Sequence, residues 1–171
     1  MITTMKGDRG ETSLYDGTRV SKDDARVELN GEIDKLMALL GLCKVRSGNT
    51  DLFEKVQRDL MTVMAIVANG YGLMAGAGRK SNPLDQLETA ITNMEDFIRE
   101  ATEGKRFEFV LPGKNEAEAT IHLTRTQARA CERRLVTLAR LNAEPTQNQC
   151  YEILMRYLNR LSDYLFCLAL G

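Results

Sequence analysis

The sequence predicts an all-α protein, a five-helix bundle preceded by a non-helical N-terminal arm. Two observations lead there. Apolar residues recur at alternating spacings of three and four through five separate segments, the heptad-like seam of helices packed nearly parallel. No stretch shows a convincing strand alternation, and only Arg106 to Leu111 is short enough to be extended instead. The chain of 171 residues suits one domain, 1–171, and is long enough to bury a core without disulfides. Hydrophobic residues at 43% and charged residues at 27% place it among ordinary globular chains rather than disordered ones.

The first helix starts near Ser21 to Asp24 and runs to about Val45, with Leu29, Ile33, Leu36, Leu40 and Cys43 in line. A second starts near Asn49 or Thr50 and carries Phe53, Val56, Leu60, Val63 and Val67. The third opens with Asn82-Pro83, a capping residue followed by proline at the first helical position. Its stripe is Leu84, Leu87, Ile91, Met94 and Ile98, and Gly104 is its stop. The fourth begins near Asn115, with Ile121, Thr124, Ala128, Cys131, Leu135 and Leu138 on one face. The last begins near Pro145 and carries Leu154, Leu158, Leu161, Leu165 and Leu168. One such helix alone cannot hide an apolar face, so the five must pack together.

Three stretches lack the helical period. The first twenty residues hold Gly7, Asp8, Gly10, Asp16 and Gly17; the second, 69–81, holds Gly70, Gly72, Gly76 and Gly78; the third, 103–115, holds Phe107, Phe109, Val110, Leu111, Pro112 and Gly113. The second ends Gly76-Ala77-Gly78-Arg79-Lys80-Ser81, superficially like a Walker loop. Arg79 stands where glycine must precede the lysine, and the stretch follows a helix rather than a strand, so it reads as a flexible interhelical loop.

Composition narrows the function classes. A net charge of -1 offers no global basic field for nucleic acid or an anionic membrane. No apolar run approaches a membrane span, and Met1 to Gly10 lacks the apolar core of a signal peptide, so a cytoplasmic location is expected. Cys43, Cys131, Cys150 and Cys167 are scattered and His122 is the single histidine. That argues against a zinc site, a disulfide framework or a thiol protease, and for reduced thiols.

The charged residues are also periodic. His122, Arg125, Arg129, Glu132 and Arg133 share one stripe of helix four, about 100° round from the apolar one. By periodicity alone this reads as a solvated face with intrahelical ion pairs such as Arg129 with Glu132. Arg156, Asn159 and Asp163, with Arg160 beside them, form a similar stripe on helix five. Asp34 follows the buried-type Ile33 at the edge of the first seam, where a solvated carboxylate is the simple reading.

Three segments change that balance. The first reads Lys6-Gly7-Asp8-Arg9-Gly10-Glu11-Thr12-Ser13-Leu14-Tyr15-Asp16-Gly17-Thr18-Arg19-Val20-Ser21-Lys22, continuing to Arg26-Val27-Glu28 and Gly31-Glu32-Ile33-Asp34. The second comprises Phe109-Val110-Leu111-Pro112-Gly113, His122-Leu123-Thr124-Arg125-Thr126 and Arg129-Ala130-Cys131-Glu132-Arg133. The third is Tyr157-Leu158-Asn159-Arg160-Leu161-Ser162-Asp163-Tyr164-Leu165-Phe166. In order, they resemble TGDxGxTSLxxGxRVxK…RVExxGxxDEL, FxLPGG…LHxARTxxRRAER and YLNRLSDxLF of the PduO-type ATP:cob(I)alamin adenosyltransferases.

The resemblance implies a five-helix bundle that forms homotrimers, with active sites between neighbouring subunits. It implies transfer of the 5′-deoxyadenosyl group of ATP to the cobalt(I) of a corrinoid, cobalamin, with magnesium on the triphosphate. Carried over residue by residue, Thr4, Gly7, Asp8 and Gly10 would form the ATP-binding arm, with Lys22 and Arg26 near the phosphates. Arg129 and Glu132 would face ATP, and Asn159 would also contact the nucleotide. Arg125 would pair with Asp34 across the subunit boundary, and Phe109 would occupy the lower face of the corrin. Expected partners are a flavoprotein or other reductase that supplies cobalt(I) and adenosylcobalamin-dependent enzymes that take the product.

The chain departs from the family pattern at several places. Met5 and Lys6 replace a basic residue and a threonine, and Asn30 replaces a tyrosine. Lys35 and Met37 replace the Glu and Asn of DELN, Ala130 the second arginine of the RR pair, and Lys114 a glycine. These changes are compatible with a divergent active enzyme or a shifted nucleotide grip. They are also compatible with a non-catalytic paralogue that stores, delivers or senses a corrinoid or nucleotide.

Overall fold

The computed structural model describes residues 7–69, 82–106, 110–141 and 148–171. Among them lie five helices: α1 (Ala25–Ser47), α2 (Thr50–Ala68), α3 (Pro83–Thr102), α4 (Glu116–Leu141) and α5 (Asn148–Leu170). Each carries its predicted apolar stripe inward: Leu29, Ile33, Leu36 and Leu40 of α1 are fully buried, as are Leu60, Leu87, Leu135 and Leu154. Helix α1 packs against α2 and α4, α4 against α5, and α5 against α3, while α2 barely touches α3. In that thin contact a cavity of about 220 Å3 is lined by Val56, Asp59, Met94, Phe97, Tyr157 and others.

The helix ends follow local chemistry. Asp24 caps α1 by accepting the Arg26 backbone N–H at 2.9 Å, and Asn82 caps α3 by accepting the Leu84 N–H at 3.1 Å, with Pro83 at the first position. At the far end of α1, Gly48 takes a left-handed φ of 72° and donates its N–H to the Lys44 carbonyl at 3.1 Å. Gly104, with φ 67°, follows the last turn of α3 as expected.

One local expectation fails. A strand was not predicted, yet β1 (Glu11–Ser13) pairs antiparallel with β2 (Arg19–Ser21), Glu11 opposite Ser21. Strands of three residues are too short to display alternation, and a tight turn joins them. Leu14 N–H donates to the Thr18 carbonyl at 2.9 Å and Gly17 N–H to the Leu14 carbonyl at 3.0 Å. The Asp16 carboxylate accepts the Thr18 N–H at 2.8 Å, and Gly17 supplies the positive φ of 87°. The glycine-rich stretch from residue 70 to 81 lies outside the described residues. So do residues 107–109; Arg106, Val110 and Leu111 belong to no strand.

Candidate active site

The polar stripe of α4 meets that of α5 along their packed length. Asn159 Nδ2 donates to Glu132 Oε1 at 3.0 Å. Arg160 Nη1 donates to Asn159 Oδ1 at 2.7 Å, and Arg160 Nε donates to Glu95 Oε1 of α3 at 2.9 Å. The amide of Asn159 is thereby fixed at both ends, oxygen toward Arg160 and nitrogen toward Glu132. Asp163, one turn further on, has its carboxyl pushed up by burial, pulled down by Arg160 and Arg129, and pushed up again by Glu132. Those mutual influences bring Arg129, Glu132, Asn159 and Asp163 into one electrostatic neighbourhood spanning two helices. Among the described residues the Glu132 carboxylate is held by Asn159 of α5, and no ion pair joins it to Arg129 within α4.

Arg125 is half-buried between the same two helices. Its Nε donates to His122 Nδ1 at 3.3 Å, and its guanidinium lies 5.9 Å from the Phe166 ring centroid, within cation–π range. Asp34 is exposed on α1, and within the single chain no ion pair joins it to Arg125. Arg26 is gripped by Asp24 through Nε to Oδ1 at 2.9 Å and Nη2 to Oδ2 at 2.8 Å. The Arg26 fork holds the Asp24 carboxyl below the usual carboxylate range.

The N-terminal residues converge at the base of the hairpin. Lys22 N–H donates to the Gly10 carbonyl at 2.8 Å, and Gly10, with φ 79°, donates to the Gly7 carbonyl at 3.3 Å. A Cβ at Gly7 would come within 3.3 Å of Lys22 Nζ, so glycine keeps the backbone open where the ammonium approaches. Asp8 and Lys22 are both exposed beside it. Thr4 and Phe109 lie outside the described residues. At the end of the bundle, a cavity of about 520 Å3 is lined by Phe97, Ala101, Lys105, Arg106, Val110 and Cys167. It borders the stretch that carries Phe109.

The family model described as cobalamin adenosyltransferase matches residues 2–171. The chain belongs to the cobalamin adenosyltransferase family. It is 38% identical over 173 residues to the corrinoid adenosyltransferase PduO of Salmonella typhimurium, covering 98% of this chain and 48% of that protein. It therefore spans about half the length of the PduO relatives it matches. To the corrinoid adenosyltransferase of Bacillus subtilis it is 34% identical, covering 98% of this chain and 84% of that one. A variant of the PduO-type ATP:corrinoid adenosyltransferase from Lactobacillus reuteri, solved with cobalamin and ATP, superposes with a TM-score of 0.81 at 25% identity, covering 99% of this chain and 89% of that chain. Another variant of that enzyme, complexed with ATP, gives 0.80 at 26% identity over 99% and 92%.

For a cobalamin adenosyltransferase fold, the structure brings Glu132 and Asn159 together directly and Arg129 beside them. It groups Gly7, Asp8, Gly10 and Lys22 on one arm. It does not join Asp34 to Arg125 within one chain, and it ties Arg26 to Asp24. Glu95 and Glu118 escaped the reading of the sequence. Glu95 meets Arg160 across 65 positions, which no local pattern reveals. Glu118 was findable, because Asn115 and Glu118 have the N-x-x-E spacing of a capping box. Among the described residues no three His, Cys, Asp or Glu side chains are grouped to hold a metal, and no helix is long and apolar enough to cross a membrane.

Proposed function

We propose that this chain transfers the 5′-deoxyadenosyl group of ATP to the cobalt(I) of a corrinoid, cobalamin, and releases triphosphate. The observation that carries the reading is the face shared by Arg129, Glu132 and the doubly anchored Asn159. Membership of the family, and the ATP and cobalamin held by the Lactobacillus reuteri neighbour, support it.

The cobalt(I) lone pair attacks C5′ of ATP, the C5′–O bond breaks, and its electron pair leaves with the triphosphate. The corrinoid supplies the nucleophile, so the protein needs no serine, cysteine or histidine base. Its own work is to align two reactants, spread the charge of the leaving group and keep water out. Arg129 is exposed on this face and would meet the phosphates with a planar fork. Glu132 and Asn159, already fixed in orientation, would read the nucleotide without first reorganising. Lys22 and the N–H groups of the arm at Gly7, Asp8 and Gly10 would approach the phosphates. Thr4 belongs to the same arm, and Arg26 would exchange Asp24 for a phosphate. Magnesium arrives with ATP as part of the substrate. Phe109 would sit beneath the corrin, next to the cavity bounded by Val110 and Cys167, and exclude the lower axial ligand.

Sites would complete themselves between subunits of a homotrimer in the cytoplasm, with Asp34 of one protomer against Arg125 of the next. A flavoprotein or other reductase would deliver cobalt(I), and adenosylcobalamin-dependent enzymes would take the product. The test is an anaerobic mixture of reduced cobalamin, ATP and magnesium, followed by the adenosylcobalamin spectrum. Product at a useful rate is expected. Tight corrinoid binding with no product would replace this reading with a storage, delivery or sensing role.

A further inference from the structure

The single histidine of the chain is buried, and the adenosyl-transfer chemistry leaves it unused. His122 is 3% exposed and Glu118, one helical turn before it, is 7% exposed. Glu118 Oε2 accepts two backbone N–H groups from the preceding loop, Gly113 at 2.8 Å and Lys114 at 3.0 Å. Its own N–H donates to Asn115 Oδ1 at 2.9 Å, so the helix cap and the loop share one carboxylate. The Gly113 N–H, which outweighs the opposing effect of burial and is joined by the Lys114 N–H, holds that carboxyl below its usual range.

The other oxygen faces the imidazole. Glu118 Oε1 lies 3.2 Å from His122 Nε2, but off the line of a hydrogen bond, and Nε2 is buried without a partner. On its opposite side, His122 Nδ1 accepts from Arg125 Nε at a long 3.3 Å. Both rings and the guanidinium then converge, with the His122 and Phe166 centroids 6.1 Å apart and Arg125 over Phe166. One imidazole therefore stands between two partners and satisfies neither fully. A small turn of the ring toward Glu118 completes one bond and loosens the other. Capping alone requires neither a buried imidazole nor a buried carboxylate, and burying both costs free energy that a surface cap avoids.

We propose that Glu118 and His122 are positioning residues that couple loop 110–114 to Arg125, so that the loop and the arginine adopt their working positions together. The kinetic consequence rests on the adenosyl-transfer reading, because that reading places the corrinoid beside this loop and Arg125 at the subunit boundary. The coupling itself does not.

The experiment reads each substitution at the far end of the series, in the full chain labelled with nitrogen-15. Glu118→Gln is expected to shift the Arg125 Nε–H resonance. His122→Asn keeps an acceptor near Nδ1 and loses the reach to Glu118, and should speed amide exchange at Gly113 and Lys114 by roughly tenfold. His122→Gln, which restores that reach, should return their protection. In the anaerobic assay, Glu118→Gln should raise the corrinoid KM by roughly tenfold while the ATP KM stays within about twofold. Far-end signals that do not move in Glu118→Gln and His122→Asn would overturn the coupling, as would an equal rise in both KM values. Should His122→Asn fail to fold, Glu118→Gln alone still carries both readouts. If the unsubstituted chain forms no adenosylcobalamin, the adenosyl-transfer reading fails, and the resonance and exchange measurements still decide the coupling.

Discussion

Asp59 is a carboxylic acid that the fold buries almost completely. It is 4% exposed, borders the cavity between α2 and α3, and accepts a hydrogen bond from Gln86 Nε2 at 2.7 Å. Burial pushes its carboxyl up, and the Gln86 bond and Lys55 recover only part of that. The sign follows from linkage. A raised carboxyl favours the protonated form in the folded state, so its stabilising contribution is complete below the unfolded value of about 4 and is lost as pH rises through the folded value. Asp59→Asn retains the acceptor for Gln86 and removes the charge. It should melt a few degrees higher at about pH 7 and lose that advantage near about pH 4. Thermal melts at the two values check this, and a variant less stable at both would show that the carboxylate is needed. Arg129 is the contrasting residue, an exposed side chain with little packing to lose. Arg129→Ala should lower turnover by about 10²-fold, because the contact proposed for it would strengthen as charge builds on the leaving triphosphate. Its melting temperature should stay that of the parent, and near-normal kinetics would return Arg129 to the solvated face.

Helix ends translate sequence into structure most directly, and two glycines of α1 test that with opposite signs. Gly48 closes the helix at φ 72°, and a Cβ there would meet nothing within 4 Å. Gly48→Ala should therefore cost about 1 kcal/mol through conformation alone. Gly41 lies inside the helix, where an added Cβ would sit 3.7 Å from Gln57 Nε2, an ordinary contact. Gly41→Ala should stabilise by about 0.5–1 kcal/mol. Denaturant titrations of the pair read the difference, and equal effects would refute it. The same logic explains what the sequence revealed. Long stripes such as Leu29 to Cys43, together with caps such as Asn82-Pro83, make helices legible, because packing and capping are periodic or local. The hairpin escaped because its determinants are one turn, Asp16 and Gly17, with strands too short for a pattern. At the site, the stripe of Arg125, Arg129 and Glu132 was visible in the helical period. Its partner was not, since Asn159 reaches Glu132 from 27 positions away. The grip of Asp24 on Arg26 is local, yet it competes with the phosphate role that the resemblance implies.

The single chain leaves unfinished business on its outer surface. Arg46 Nη1 reaches Thr120 at 3.3 Å and Glu116 at 3.7 Å, so the end of α1 lies beside the start of α4. Those two helices expose Leu42, Val45 and Leu123 to solvent, apolar side chains of the kind that mark an interface. Asp34 also stands exposed on α1, without an ion pair to Arg125 in its own chain. The proposed homotrimer would cover both, and light scattering should then return three times the 19.2 kDa chain mass at micromolar concentration. A heterologous contact repeated round a three-fold axis brings different patches of neighbouring protomers together. That geometry makes a sharper test possible. Asp34→Ala and Arg125→Ala should each be nearly inactive alone while keeping their fold. Co-expressed in one cell, they form mixed trimers in which an intact Asp34 from one variant faces an intact Arg125 from the other. Part of the activity should return in those trimers. A pair made within one chain allows no such recovery, because every protomer then lacks one partner. Complementation with trimeric mass supports sites shared between subunits, and mixed trimers that remain inactive would remove the Asp34–Arg125 contact from the mechanism.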